Sequence, residues 1–159
     1  MKVIDIEGGG WFPEEDVEIT VSLVEEGGRE QPPVISVSFH YKGKNEEELS
    51  FRRPPPFAEY ISNNANQTRV AVVPKGEVKY EIIRDQQDEV CWIATNSADV
   101  LDGGVTVLTS PNEKMRKEYL VLGTSNERCP PSGKYNFSDN FGHSDRSSKE
   151  EWGFSIIIR

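Results

Sequence analysis

The residues best equipped for chemistry crowd one stretch, CPPSGKYNFSDNFGHSDRSSKEEWGFSIIIR, in which His143, Ser144 and Asp145 are consecutive. A nucleophile, its base and the acid that orients the base have to meet through space. Neighbours along an extended segment point away from one another, so this trio does not read as a catalytic triad. No Gly-x-Ser-x-Gly elbow or other ordered signature accompanies it, and the chain is not expected to be an enzyme. The second histidine, His40, alternates against Phe39 in a strand-like run and is expected to face solvent. The EGGGWF stretch lacks the preceding strand and the lysine of a phosphate-binding loop. It reads as a flexible lead.

Carboxylates offer a second kind of chemistry. Asp85 and Asp88 in RDQQDE, with Asp99 and Asp102 in NSADVLDGG, flank Cys91-Trp92 at its two ends. Hard oxygen donors of this type hold calcium where loops converge, but EF-hand spacing is missing and the bland reading is two acidic turns. Cys91 and Cys129 are the two cysteines; without a thiolate cluster they offer no zinc site. Joined, they would close a loop of roughly 40 residues worth roughly 4 kcal/mol; unjoined, they are small apolar residues. Asn66 and Asn136 head N-glycosylation sequons. Asn66 lies in a polar loop and is the better acceptor, while Asn136 opposes Tyr135 and Phe137 in a strand. FRRPPPF reads chiefly as a strand terminator or blunted edge, with recognition of a polyproline segment as the alternative. Trp92 and Trp152 sit in alternating apolar contexts and are expected in the core, whereas Trp11 falls outside any clear strand and is expected to be exposed.

These groups need a scaffold, and the bulk numbers bound it. The chain has 159 residues, enough for one domain with a substantial core. A formal net charge of -9 repels phosphate backbones and anionic lipid, so nucleic acid is not an expected partner. No run approaches the ~20 apolar residues that span a bilayer, and the N-terminus has no apolar signal-peptide core. A protein partner is compatible with this composition; no cofactor is indicated.

Period-two alternation recurs along the chain. VEITVSLV sets Val17, Ile19, Val21 and Leu23 on one face, and VISVSFHY does the same with Ile35, Val37 and Phe39. ELSFR, RVAVV, EVKYEII, EVCWIA, GVTVLTS, KEYLVL, KYNF and WGFSIII follow, separated by Gly, Pro, Asn and Asp turn signals. Two segments, PPPFAEYISNNAN and SPNEKMRKEYL, remain compatible with short helices. The expectation is an all-β, antiparallel sandwich of about eight to ten short strands. It comprises a flexible lead over 1–16 and a single domain over 17–159, with SDNFGHSDRSSKE as a long polar loop between the last two strands.

The Pro131, Gly133, Tyr135 and Phe137 spacing resembles the penultimate strand of immunoglobulin-like sandwiches. VEITVSLV followed by VISVSFHYKGKNEEELSF resembles their opening strands, as in accessory domains and in the BsuPI-like intracellular proteinase inhibitors. Cys91 directly precedes its tryptophan and Cys129 precedes Tyr135, unlike the antibody pattern. The resemblance implies a non-enzymatic binding or accessory module acting through its loops at a cell surface. A BsuPI-like proteinase inhibitor is the alternative. Binding residues are then expected in the loops Phe141–Ser148 and Pro54–Asn66, with Phe141, His143, Asp145, Arg146, Phe57 and Tyr60 as candidates.

Overall fold

The computed structural model describes residues 1–52, 60–63, 69–95, 105–125, 127–147 and 149–159, with the backbone alone described at 60–63 and 69. Within them run twelve strands: β1 (Val3–Phe12), β2 (Val17–Glu25), β3 (Val34–Tyr41), β4 (Glu47–Phe51), β5 (Tyr60–Asn63), β6 (Arg69–Pro74), β7 (Tyr80–Arg84), β8 (Val90–Ala94), β9 (Val105–Thr109), β10 (Lys114–Gly123), β11 (Gly133–His143) and β12 (Glu150–Ile158). The all-β expectation is met with more strands than the eight to ten anticipated. They form one curled sheet in the order β5-β6-β10-β3-β2-β1-β12-β11-β4-β9. Its pairs are antiparallel, but β8 also joins β10 in parallel through Ile93 and Gly123, so the sheet is mixed.

The curl turns on the segment expected to be a flexible lead. The first part of β1 pairs with β12, through Gly8 opposite Phe154, and the second part pairs with β2, from Gly9 opposite Thr20 onward. Partner exchange happens within Gly8-Gly9-Gly10, all at positive φ (137°, 84° and 155°). A Cβ on Gly8 would overlap Phe154 Cα and the Gly153 carbonyl; one on Gly9 would overlap the Ile19 carbonyl. Glycine is the residue that permits both the backbone angles and this close approach. A triplet that looks flexible in sequence is therefore the corner joining the two arms of the sheet.

The arms pack face to face. The alternating residues Ile19, Ile35, Val37 and Phe39 meet Leu49, Phe51, Tyr135, Phe137 and Phe141, together with Trp152, Phe154, Ile156 and Ile158, in one buried cluster. Phe39 makes edge-on contacts with Phe51 and Phe141 across the arms, at 5.2 and 5.8 Å between ring centroids. The other face of β3, β6 and β10 carries Val34, Ala71, Val73, Leu120 and Leu122, which pack with Val78, Trp92 and Ala94 of the β7–β8 region. This second layer explains why β3 is buried on both faces. The helical reading of SPNEKMRKEYL is corrected: β10 runs straight through it, paired with β3 from Lys114 to Leu120. Burial of Tyr119 and Val121 on one side, and of Leu120 and Leu122 on the other, outweighs local helix propensity.

Cys91 and Cys129 form a disulfide with Cα atoms 5.6 Å apart. It ties β8 to the segment between β10 and β11 and lies outside the main core. The antibody-type bridge through the core is therefore not the arrangement here.

Candidate functional site

Three turns meet at one end of the curled sheet. The β1–β2 turn (13–16), the β3–β4 turn (42–46) and the β11–β12 turn (144–149) are linked by specific contacts. Lys42 donates its backbone N–H to the Asp16 carbonyl at 2.7 Å, and Ser144 donates to the Glu48 carbonyl at 2.9 Å. Arg146 reaches across to Glu15, 3.8 Å from Oε1, and Lys149 donates to the His143 carbonyl at 2.7 Å. Lys42 pairs with Glu18 and sits 5.5 Å from the centre of the Trp11 ring. Trp11, as expected, is exposed (51 %). It borders a shallow groove whose other walls include Gly10, Ser138, Glu151 and Trp152.

The structure divides the expected binding residues. Asp145 and Arg146 lie exposed in the β11–β12 turn. Phe141 does not belong to a loop: it is fully buried in β11, edge-on to Phe12 and stacked on Phe51. His143 ends the same strand, is buried, and sets Nδ1 3.5 Å from Glu47. The long polar loop is accordingly corrected to a short turn, because β11 and β12 stay paired out to Phe141 and Glu150. The inner-face positions of β11 read Tyr135, Phe137, Asp139, Phe141, His143, so a buried aspartate and histidine interrupt the apolar alternation that would have announced the strand. Tyr60 falls in β5 opposite Val72; Phe57 and Asn66 lie outside the described residues. Asn136 is exposed on β11, and His40, on β3, donates from Nε2 to Asn112 Oδ1 at 2.7 Å.

The acidic turn around β8 has an internal job. Asp85 Oδ1 accepts from the backbone N–H of Gln87 and Glu89, and Oδ2 accepts from that of Cys129. Burial alone would raise the Asp85 carboxyl, but these three donors outweigh it and hold it below the usual carboxylate range. Asp88 pairs with Arg84 at 3.1 Å. The other half of the expected calcium set, Asp99 and Asp102, lies outside the described residues.

A different carboxylate group stands at the three-turn end. Glu14 and Glu15 from the β1–β2 turn and Glu150 from the start of β12 each bring a carboxylate oxygen within 4.8 Å of the others. Glu15 is only 4 % exposed, and its Oε2 has no hydrogen-bond partner among the described residues. Burial, followed by repulsion from Glu150 and Glu14, pushes its carboxyl above the ordinary value despite His143 and Arg146 nearby. FPEED and SSKEEW are ordinary acidic turns when read singly. Only the strand order, which sets β1 beside β12, brings them together.

Comparison of the chain with protein-family models, curated proteins and solved structures finds no match. Among the described residues no helix is long and apolar enough to cross a membrane.

Proposed function

We propose that this protein is a non-enzymatic binding or accessory module of immunoglobulin-like character that engages a protein partner through its three-turn end. The carrying observation is the linkage of three turns at one end of the sheet, with Lys42 of the β3–β4 turn over the exposed Trp11, which borders a groove between β1 and β12. The exposed Trp11 and the exposed Arg146 of the β11–β12 turn are of the residue types enriched in binding hot spots. The immunoglobulin-like reading is supported by Tyr135, whose hydroxyl donates to the Pro131 carbonyl four residues upstream at 2.7 Å, as in a tyrosine corner. The buried Cys91–Cys129 bridge favours an oxidising compartment, and hence a cell-surface setting over that of an intracellular inhibitor.

The test is site-specific photocrosslinking in the native setting, with the crosslinker at position 11 or, as a control on the β7–β8 hairpin, at the exposed position 82. A discrete protein adduct from position 11 and none from position 82 is expected. No adduct from position 11, or the same adducts from positions 11 and 82, would overturn the reading.

A further inference from the structure

The Glu14, Glu15 and Glu150 cluster departs from an ordinary acidic surface in one respect: its central member is buried and incompletely paired. A buried carboxylate costs free energy unless it is hydrogen-bonded, paired or neutralised. Among the described residues Glu15 makes one ion pair, with the half-exposed Arg146, at 3.8 Å from Oε1. Its Oε2 has no hydrogen-bond partner among the described residues. Two further carboxylates crowd the same spot, so the local charge lacks a full counterweight.

We propose that Glu14, Glu15 and Glu150 form a binding site for a hard divalent cation, calcium, clamping the β1–β2 turn to the start of β12. The donor set is all oxygen, which disfavours soft metals. Calcium–oxygen bonds of roughly 2.3–2.6 Å let donors on opposite sides of one ion stand up to about 5 Å apart. The 4.8 Å limit on this cluster falls inside that span. Magnesium demands near-ideal octahedral geometry and gives up its waters reluctantly, so three carboxylates from two separate segments suit the adaptable coordination of calcium better. Glu15 provides the inner ligand, while exposed Glu14 and half-buried Glu150 leave the outer side of the ion open to water. This site does not depend on the binding-module reading, because it is tested with the metal alone.

The experiment is titration calorimetry and thermal unfolding of chelator-stripped full-length protein with CaCl₂, MgCl₂ and NaCl at matched ionic strength. Saturable single-site heat with CaCl₂ is expected, together with a rise in unfolding temperature beyond that of the NaCl control. Glu15→Gln should abolish the heat. Glu14→Gln and Glu150→Gln should each weaken the affinity about ten-fold or more as ligand charge is removed. Glu81→Gln, on exposed β7, should leave it unchanged. If Glu15→Gln fails to fold, the other two variants decide. Absence of calcium heat, an equal response to magnesium, or equal loss in Glu81→Gln overturns the assignment.

Discussion

Glu15 places a carboxylate where the fold gives it little solvent and an incomplete set of partners. Its raised carboxyl sets the sign of its pH dependence. Below the ordinary glutamate range, about pH 4, the group is protonated in both folded and unfolded chains and its burial carries no charge penalty. As pH rises through the elevated folded value, the unfolded chain ionises first and stability is lost. Glu15→Gln keeps the shape without the charge. In chelator it should therefore be more stable than the parent at neutral pH, with the gain vanishing near pH 4, as read from urea midpoints across pH. A gain that does not change with pH would contradict this account. Phe141 illustrates the opposite case, a buried residue that was expected to be exposed. Its edge-on contacts with Phe12 and Phe39 make Phe141→Ala a cavity mutation costing about 3–5 kcal/mol by denaturant titration. A cost below about 1 kcal/mol would return it to the surface. Tyr135 and Phe137 were legible as core residues because they alternate. Phe141 was not, because Asp139 and His143 occupy inner-face positions where apolar residues normally mark a strand.

At the scale of elements, alternation located most of the strands, and the misses have identifiable causes. Strand β1 was hidden by Gly8-Gly9-Gly10, a poor strand former used here for its backbone freedom. The central part of β10 resembled a short helix because its charged residues follow helix-friendly spacing while tertiary pairing dictates the outcome. The corner explanation is testable. Gly9→Ala puts a side chain at φ 84° against the Ile19 carbonyl and should cost at least about 2 kcal/mol. Gly28→Ala, where a Cβ meets nothing within 4 Å, should be neutral or slightly stabilising by the same denaturant assay. Equal effects would show that the triplet is not a structural corner. The acidic cluster was illegible for another reason: Glu14 and Glu150 are separated by nearly the whole chain and meet only because β1 lies between β2 and β12.

On the scale of the whole molecule, the connections differ in kind. The two arms share β1 and one continuous aromatic and aliphatic core, so neither can lose its packing alone. The β7–β8 hairpin is attached differently. It touches β10 through one parallel pair, covers the outer cluster with Trp92, and is fastened by the Cys91–Cys129 bridge and by Asp85. Trp92 also donates its indole N–H to the Gly28 carbonyl at 2.8 Å, pinning the hairpin to the loop after β2. Cross-linking residues 38 apart is worth about 4 kcal/mol by loop-closure entropy. Removing the bridge should therefore weaken the hairpin before the arms, as a locally cooperative unit. Two single-tryptophan reporters separate these parts: one retaining Trp152, buried in the main core, and one retaining Trp92 on the hairpin. In the oxidised protein their urea transitions should coincide with each other and with far-ultraviolet circular dichroism, the signature of two-state unfolding. After reduction the Trp92 transition should move to lower urea than that of Trp152. If the two still coincide, the hairpin is part of the same cooperative unit as the arms and its attachment does not depend on the disulfide; if they separate while oxidised, the continuous core does not govern the unfolding of the whole chain.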